Sequence, residues 1–141
     1  MGKTLRVHLT DRSWKVEERD EDFRRRYIGG WGFIAYYLLK ELPPGIDPLG
    51  PENMLIFANG AMTGAAVGGS GRSAVGGKSP LTGGFGEADV GGYFGAEMAR
   101  TGYDVIIIEG QAAEPVYLWV TNDQVEIRSA SHLWGMLTAR T

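Results

Sequence analysis

The sequence predicts an α+β fold built largely on antiparallel sheet, with a few helices. Two observations carry this: strand-like runs outnumber helix-like ones, and they fall next to one another as hairpins.

Taken in order, "TLRVHL" and "SWKVEE" both alternate apolar and polar residues, and the short "TDRS" between them reads as a turn. Asp20 or Asp22 then caps a helix through Tyr27 and Ile28, closed by Gly29-Gly30. Phe33, Ile34, Tyr37, Leu38 and Leu42 lie at helical spacing and predict a second helix. "PPGIDPLGPEN" breaks the chain, and "MLIFAN" follows as a short buried strand. "GGYFGAEMARTG" fits a small-residue helix with Gly102 as its C-terminal cap. "YDVIIIEG" reads as a strand buried on both faces. "VYLWVTNDQVEIRS" places two alternating strands around an Asn122-Asp123 turn. "HLWGMLTART" suggests the start of a further helix.

Composition narrows the function. Net charge is −3, so the chain lacks the basic footprint of a nucleic-acid binder. The basic run Arg24-Arg25-Arg26 follows three acids and reads as a solvated, balanced helix face. There is no cysteine, which excludes disulfides, thiolate metal sites and any iron–sulfur cluster held by this chain's own thiolates. The two histidines, His8 and His132, read as a sheet-face residue and a structural one. No apolar run reaches the roughly 18 residues of a membrane helix. Met1-Gly2 is followed by Arg6 where a myristoylation signal wants Ser or Thr. The cytoplasm is the default expectation.

The unusual feature is glycine, 22 of 141 residues, concentrated in "AMTGAAVGGSGRSAVGGKSPLTGGFGEADVGG" at 61–92. A phosphate loop needs glycine five residues before the one in "GKS", but that position is Arg72, and Pro80 stands where the helix should begin. Dinucleotide-type patterns occur at Gly69–Ala74 and Gly30–Ala35, yet neither sits between a strand and a helix. What remains is backbone that can approach a ligand closely and form anion-binding nests. Arg72 offers a bidentate fork, and Asp89, read at a helix start, offers a cap or a cation ligand. The alternative is a set of tight turns with Arg72 and Lys78 merely solvated.

The segments "GGWGFIAYYLLKEL", "PLGPENMLIFANGAMTG", "GRSAVGGKSPLTGGFGEADVGGYFGAEMARTGYDVIIIEG", "PVYLWV" and "VEIRSASHLWG" together resemble the N-terminal domain of the tungsten-containing aldehyde ferredoxin oxidoreductases. The resemblance runs over residues 3 to 138, with several motifs in order and at matching spacing. It implies a β-sheet base for a bis-pterin tungsten (or molybdenum) cofactor. Later helical domains would cover that cofactor and supply the cysteines of a [4Fe–4S] cluster. The implied reaction takes a small aldehyde to a carboxylate, with electrons leaving to ferredoxin. The implied partners are the enzyme's remaining domains, ferredoxin and a further copy in a homo-oligomer; neither nucleic acid nor membrane is among them.

By the same resemblance, Arg72 lies between cluster and pterin. Asp89 stands where the family has asparagine and would reach the cofactor's Mg²⁺ through its backbone carbonyl. Val90 replaces a serine, which removes a hydroxyl contact. Gly91 brings its amide to the pterin, and Lys78 adds positive charge near the site. The 1–141 stretch reads as an incomplete cofactor-binding domain, inactive alone. Two other readings stay open: a non-catalytic pterin-binding scaffold or small subunit, and a family relative such as a ring-reducing acyl-CoA reductase.

Overall fold

The computed structural model describes residues 2–122 and 124–138. Strands β1 (Lys3–His8), β2 (Ser13–Glu18), β3 (Met54–Asn59), β4 (Ser73–Lys78), β5 (Phe85–Val90) and β6 (Tyr103–Glu109) form one sheet in the order β2-β1-β6-β3-β4-β5. Only β1 and β6 run parallel; the other pairings are antiparallel, as expected. A second, two-stranded sheet holds β7 (Val116–Val120) and β8 (Val125–Ser129). Asn122 lies in its turn, where the Thr121 N–H donates to the Gln124 carbonyl at 2.8 Å; the expected partner Asp123 lies outside the described residues.

Helix α1 (Glu21–Tyr27) begins where Asp20 accepts the Phe23 N–H at 2.8 Å. Its acids sit in the first turn and Arg24–Arg26 in the last, matching the helix dipole. It ends on Ile28, itself at φ 65°, ahead of the two glycines. Helix α2 (Trp31–Glu41) buries Phe33, Ile34, Tyr37 and Leu38 on one face of the sheet against Met54, Ile56, Ala58, Ala74, Val105 and Ile107. Helix α3 (Phe94–Arg100) and the β7–β8 hairpin cover the other face, where Met98, Val125, Leu118 and Ile127 meet Leu5, Val7 and Ile106. Strand β6 is therefore buried from both sides, as its apolar run implied.

Two expectations fail. "HLWGMLTART" turns at 131–135 and forms no α-helix among the described residues; Trp134 is exposed, so no apolar stripe is buried to sustain one. The glycine-rich stretch contains β4 and β5. Their glycines carry no strand propensity, so the ladder is imposed by neighbours. A Cβ at Gly76 would lie 2.7 Å from Ile34 Cγ2, so α2 can approach the sheet here only because the side chain is missing. Asp89 consequently sits inside β5, not at a helix start, and α3 is capped at Tyr93 without a side-chain bond.

The charged centre of the fold lies away from the glycines. Arg6, on β1, bonds Glu17 at 2.9 Å, Glu41 at 2.7 Å and Glu109 at 2.5 Å. Burial opposes the Arg6 charge, but the hydrogen bond to Glu17 and the three carboxylates outweigh it, so its pKa lies above the ordinary value. Burial likewise raises Glu17, and the bonds and charges of Arg6 and Lys15 more than reverse this, leaving its carboxyl below the usual range.

Candidate functional site

The end of the sheet where β3 exits, β4 enters and β5 exits collects most of the expected residues. Ser73 pairs with Val90 and Ala74 with Asp89, so Arg72 and Gly91 flank the last rung of the β4–β5 ladder. The Arg72 backbone is pinned: its carbonyl accepts from Thr63 Oγ1 at 2.5 Å, and that hydroxyl accepts from the Gly60 N–H at 2.9 Å. Its guanidinium is exposed and, among the described residues, within ion-pair distance of no carboxylate.

Backbone crowds on one side of Arg72 and is open on the other. A Cβ on Gly71 would stand 2.9 Å from the Gly92 carbonyl oxygen, so the two segments touch without side chains. Gly91 and Gly92 have no atom within 4 Å of the Cβ position, and Gly92 takes φ +96°, which favours glycine. Exposed aromatic surface rims the opening, with Tyr93 86% and Trp31 52% accessible.

Strand alternation separates two of the expected residues. Asp89 pairs with Ala74, which packs in the α2 core, and Trp31 Nε1 donates to Asp89 Oδ1 at 3.1 Å. Val90 pairs with Ser73, whose Cβ faces Gly95 of α3. Their side chains thus leave on opposite faces of the sheet, and only their backbone can serve one ligand.

Lys78 does not join the group. It lies at the far end of β4, six positions from Arg72 and so roughly 20 Å away along an extended strand. There its Nζ donates to the Ile46 carbonyl at 2.7 Å, and its backbone is bracketed by Asn53 at 3.0 and 3.1 Å. These contacts fasten the 46–53 loop to the sheet.

Sequence reasoning missed Trp31, Asn59, Thr63 and Ser73. Asn59 is buried; its Nδ2 donates to the Gly95 carbonyl at 3.1 Å and its own carbonyl accepts from Gly30 at 2.9 Å. One residue therefore ties the starts of α2 and α3 to the end of β3. Asn59 Oδ1 and Ser73 Oγ, across from each other on the ladder, have no hydrogen-bond partner. Polar residues closing an apolar strand, as in "MLIFAN", were the available signal.

The described residues contain no group of three or more His, Asp or Glu able to hold a metal. His8 bonds Asp11 at 3.0 Å at the end of β1, away from Arg72. The donors on offer at this sheet end include the Arg72 guanidinium and glycine-bared backbone, beside an indole-bound carboxylate, and Arg24 and Arg25 line a pocket with Asn59, Gly60 and Thr63. That set suits a ligand which presents anionic or planar groups to the protein.

Comparison with known proteins identifies the family. The family profile "Aldehyde ferredoxin oxidoreductase, N-terminal domain" matches residues 4–141. The tungsten-containing aldehyde ferredoxin oxidoreductase of Pyrococcus abyssi is 51% identical over 140 residues, covering 99% of this chain and 23% of that protein. The aliphatic sulfonate oxidoreductase, WOR-like subunit, of Pyrococcus furiosus is 41% identical over 138 residues, covering 96% of this chain and 22% of that protein. The active site complex BamBC of benzoyl coenzyme A reductase, solved with 1,5 dienoyl-CoA, superposes with a TM-score of 0.90 at 41% identity, over 94% of this chain and 20% of that one. The chain thus spans less than a quarter of the length of these relatives. With one profile covering almost every residue and relatives near half identity, the chain belongs to the aldehyde ferredoxin oxidoreductase family, matching its N-terminal domain.

Proposed function

We propose that this chain is the cofactor-seating N-terminal part of an oxidoreductase that converts aldehydes to carboxylic acids. The cofactor is a bis-pterin tungsten (or molybdenum) centre with Mg²⁺, and a [4Fe–4S] cluster held by residues outside this sequence passes electrons to ferredoxin. The observation that carries this is the convergence of Arg72, Asp89, Val90 and Gly91 at one sheet end, with the Arg72 guanidinium within ion-pair distance of no carboxylate among the described residues and the glycine backbone bare. The printed names of relatives near 50% identity support it.

Each residue has a role its position permits. Arg72 directs a fixed fork of donors at an anionic or carbonyl edge of the pterin, on the side from which electrons leave. Gly91 lets a planar ring come to backbone distance. Asp89 and Val90 contribute main chain, Asp89 through a carbonyl toward Mg²⁺. Lys78 acts as a loop fastener. When bound, the metal centre supplies the two-electron chemistry of aldehyde oxidation; the chain supplies position and charge.

The likeness to BamBC favours a second reading, reduction of an aromatic acyl-CoA. Purification of the full-length protein without oxygen, with analysis for W, Mo and pterin, tests the shared claim; a protein free of all three contradicts it. An aldehyde–viologen assay beside an acyl-CoA assay then separates the two reactions.

A further inference from the structure

Asp89 and Arg72 present a problem that the structure resolves. A carboxylate on the last turn-out of an edge strand, two positions along the ladder from an exposed guanidinium, is positioned to pair with it. Such a pair would occupy the guanidinium to which the cofactor reading assigns a role. Yet Arg72 has no carboxylate within ion-pair distance among the described residues. Asp89 instead accepts from the neutral indole Nε1 of Trp31 at 3.1 Å, across 58 positions of sequence.

The backbone at Trp31 is anchored. Trp31 is the first residue of α2, and the residue before it, Gly30, is bonded through its N–H to the Asn59 carbonyl at 2.9 Å. Helix α2 has no acid in its first turn and no side-chain cap, so an ionised carboxylate beside Trp31 also complements the positive end of that helix. The alternation of β5 sends the Asp89 side chain to the same face. Helix end and indole both draw the carboxylate toward α2, although the register leaves Arg72 two positions along the ladder.

Building on the proposed function, we infer that Trp31 is a positioning residue: by holding the Asp89 carboxylate against α2, it keeps Arg72 unpaired and available to an anionic group of the cofactor. An indole suits the task because it donates one hydrogen bond and carries no charge that would itself bind the anion.

The experiment uses full-length protein, purified without oxygen, and reads pterin and metal per chain beside the melting temperature. Trp31→Phe keeps the ring and removes the donor. It is expected to lower cofactor content about fivefold, the worth of one exposed pair, with little change in melting. Asp89→Asn added to Trp31→Phe removes the competing charge and is expected to restore the content. A Trp31→Phe protein as fully loaded as wild type overturns the inference. So does a double variant as depleted as the single one, since a merely structural tryptophan would not be rescued at Asp89. A wild-type protein without pterin overturns the functional reading and this inference with it, whereas a loaded wild type with no rescue overturns the inference alone.

Discussion

The two ends of this sheet handle charge in opposite ways. Where β2 and β1 meet the end of α2, Arg6 is nearly buried and bonded to three carboxylates, with Arg19 adding bonds to Glu17 and Tyr37. Where β4 and β5 leave the sheet, Arg72 is exposed, has a pinned backbone and, among the described residues, a guanidinium paired with no carboxylate, and stands among glycines and open aromatic rings. The first arrangement is complete within the chain. The second leaves its donors directed outward. The difference teaches where the fold is spent on its own cohesion and where it is available to a ligand.

Substitutions at the closed end should unsettle the fold most. Arg6→Ala would leave three carboxylates facing one another with one counter-charge removed, and should cost about 3–5 kcal/mol, read as a lower first unfolding transition. Next in size is Gly95→Ala, at the junction of the two regions. Its Cβ would stand 2.9 Å from Thr63 Cγ2 and 3.2 Å from both the Gly71 oxygen and Ser73 Cβ, so the start of α3 must shift. A loss of about 1–3 kcal/mol in thermal or urea unfolding is expected, together with lower cofactor content.

Acid gives a smaller effect with a defined sign. Glu17 has a folded pKa below its unfolded one, so its contribution is present above the unfolded value, about 4.3, and is lost as pH falls through the folded value. Stability measured downward from pH 5 should therefore fall in the wild type and fall less steeply in Glu17→Gln. Equal slopes would remove Glu17 from the account.

Much of the closed region was legible in the sequence. Asp20, the 33-34-37-38 spacing and the "VIII" run encode capping and burial directly, and α1, α2 and β6 follow from them. Strands β4 and β5 were not legible, because glycine has neither apolar periodicity nor strand propensity; Gly76 is a strand residue through its pairing with Ile56 and Glu87, and Ile34, forty-two positions earlier, leaves no room for a side chain there. The site was half legible. The resemblance pointed to Arg72, Asp89, Val90 and Gly91, and the ladder register brings them to one end. It could not show that Asp89 and Val90 face apart or that Lys78 lies at the other end of β4, which follow only once both segments are extended strands, nor that Trp31 bonds Asp89, which depends on contact between distant segments.

The comparison is tested most directly at its smallest structural effect. Arg72→Ala in the full-length protein removes an exposed, unpaired side chain, so stability should stay within about 0.5 kcal/mol of wild type. If the open end serves a cofactor, aldehyde-driven reduction of the iron–sulfur cluster should slow by about tenfold, the equivalent of one charge-assisted hydrogen bond. Unchanged reduction, or a loss of rate matched by an equal loss of stability, would contradict the claim that this end of the sheet is a binding surface.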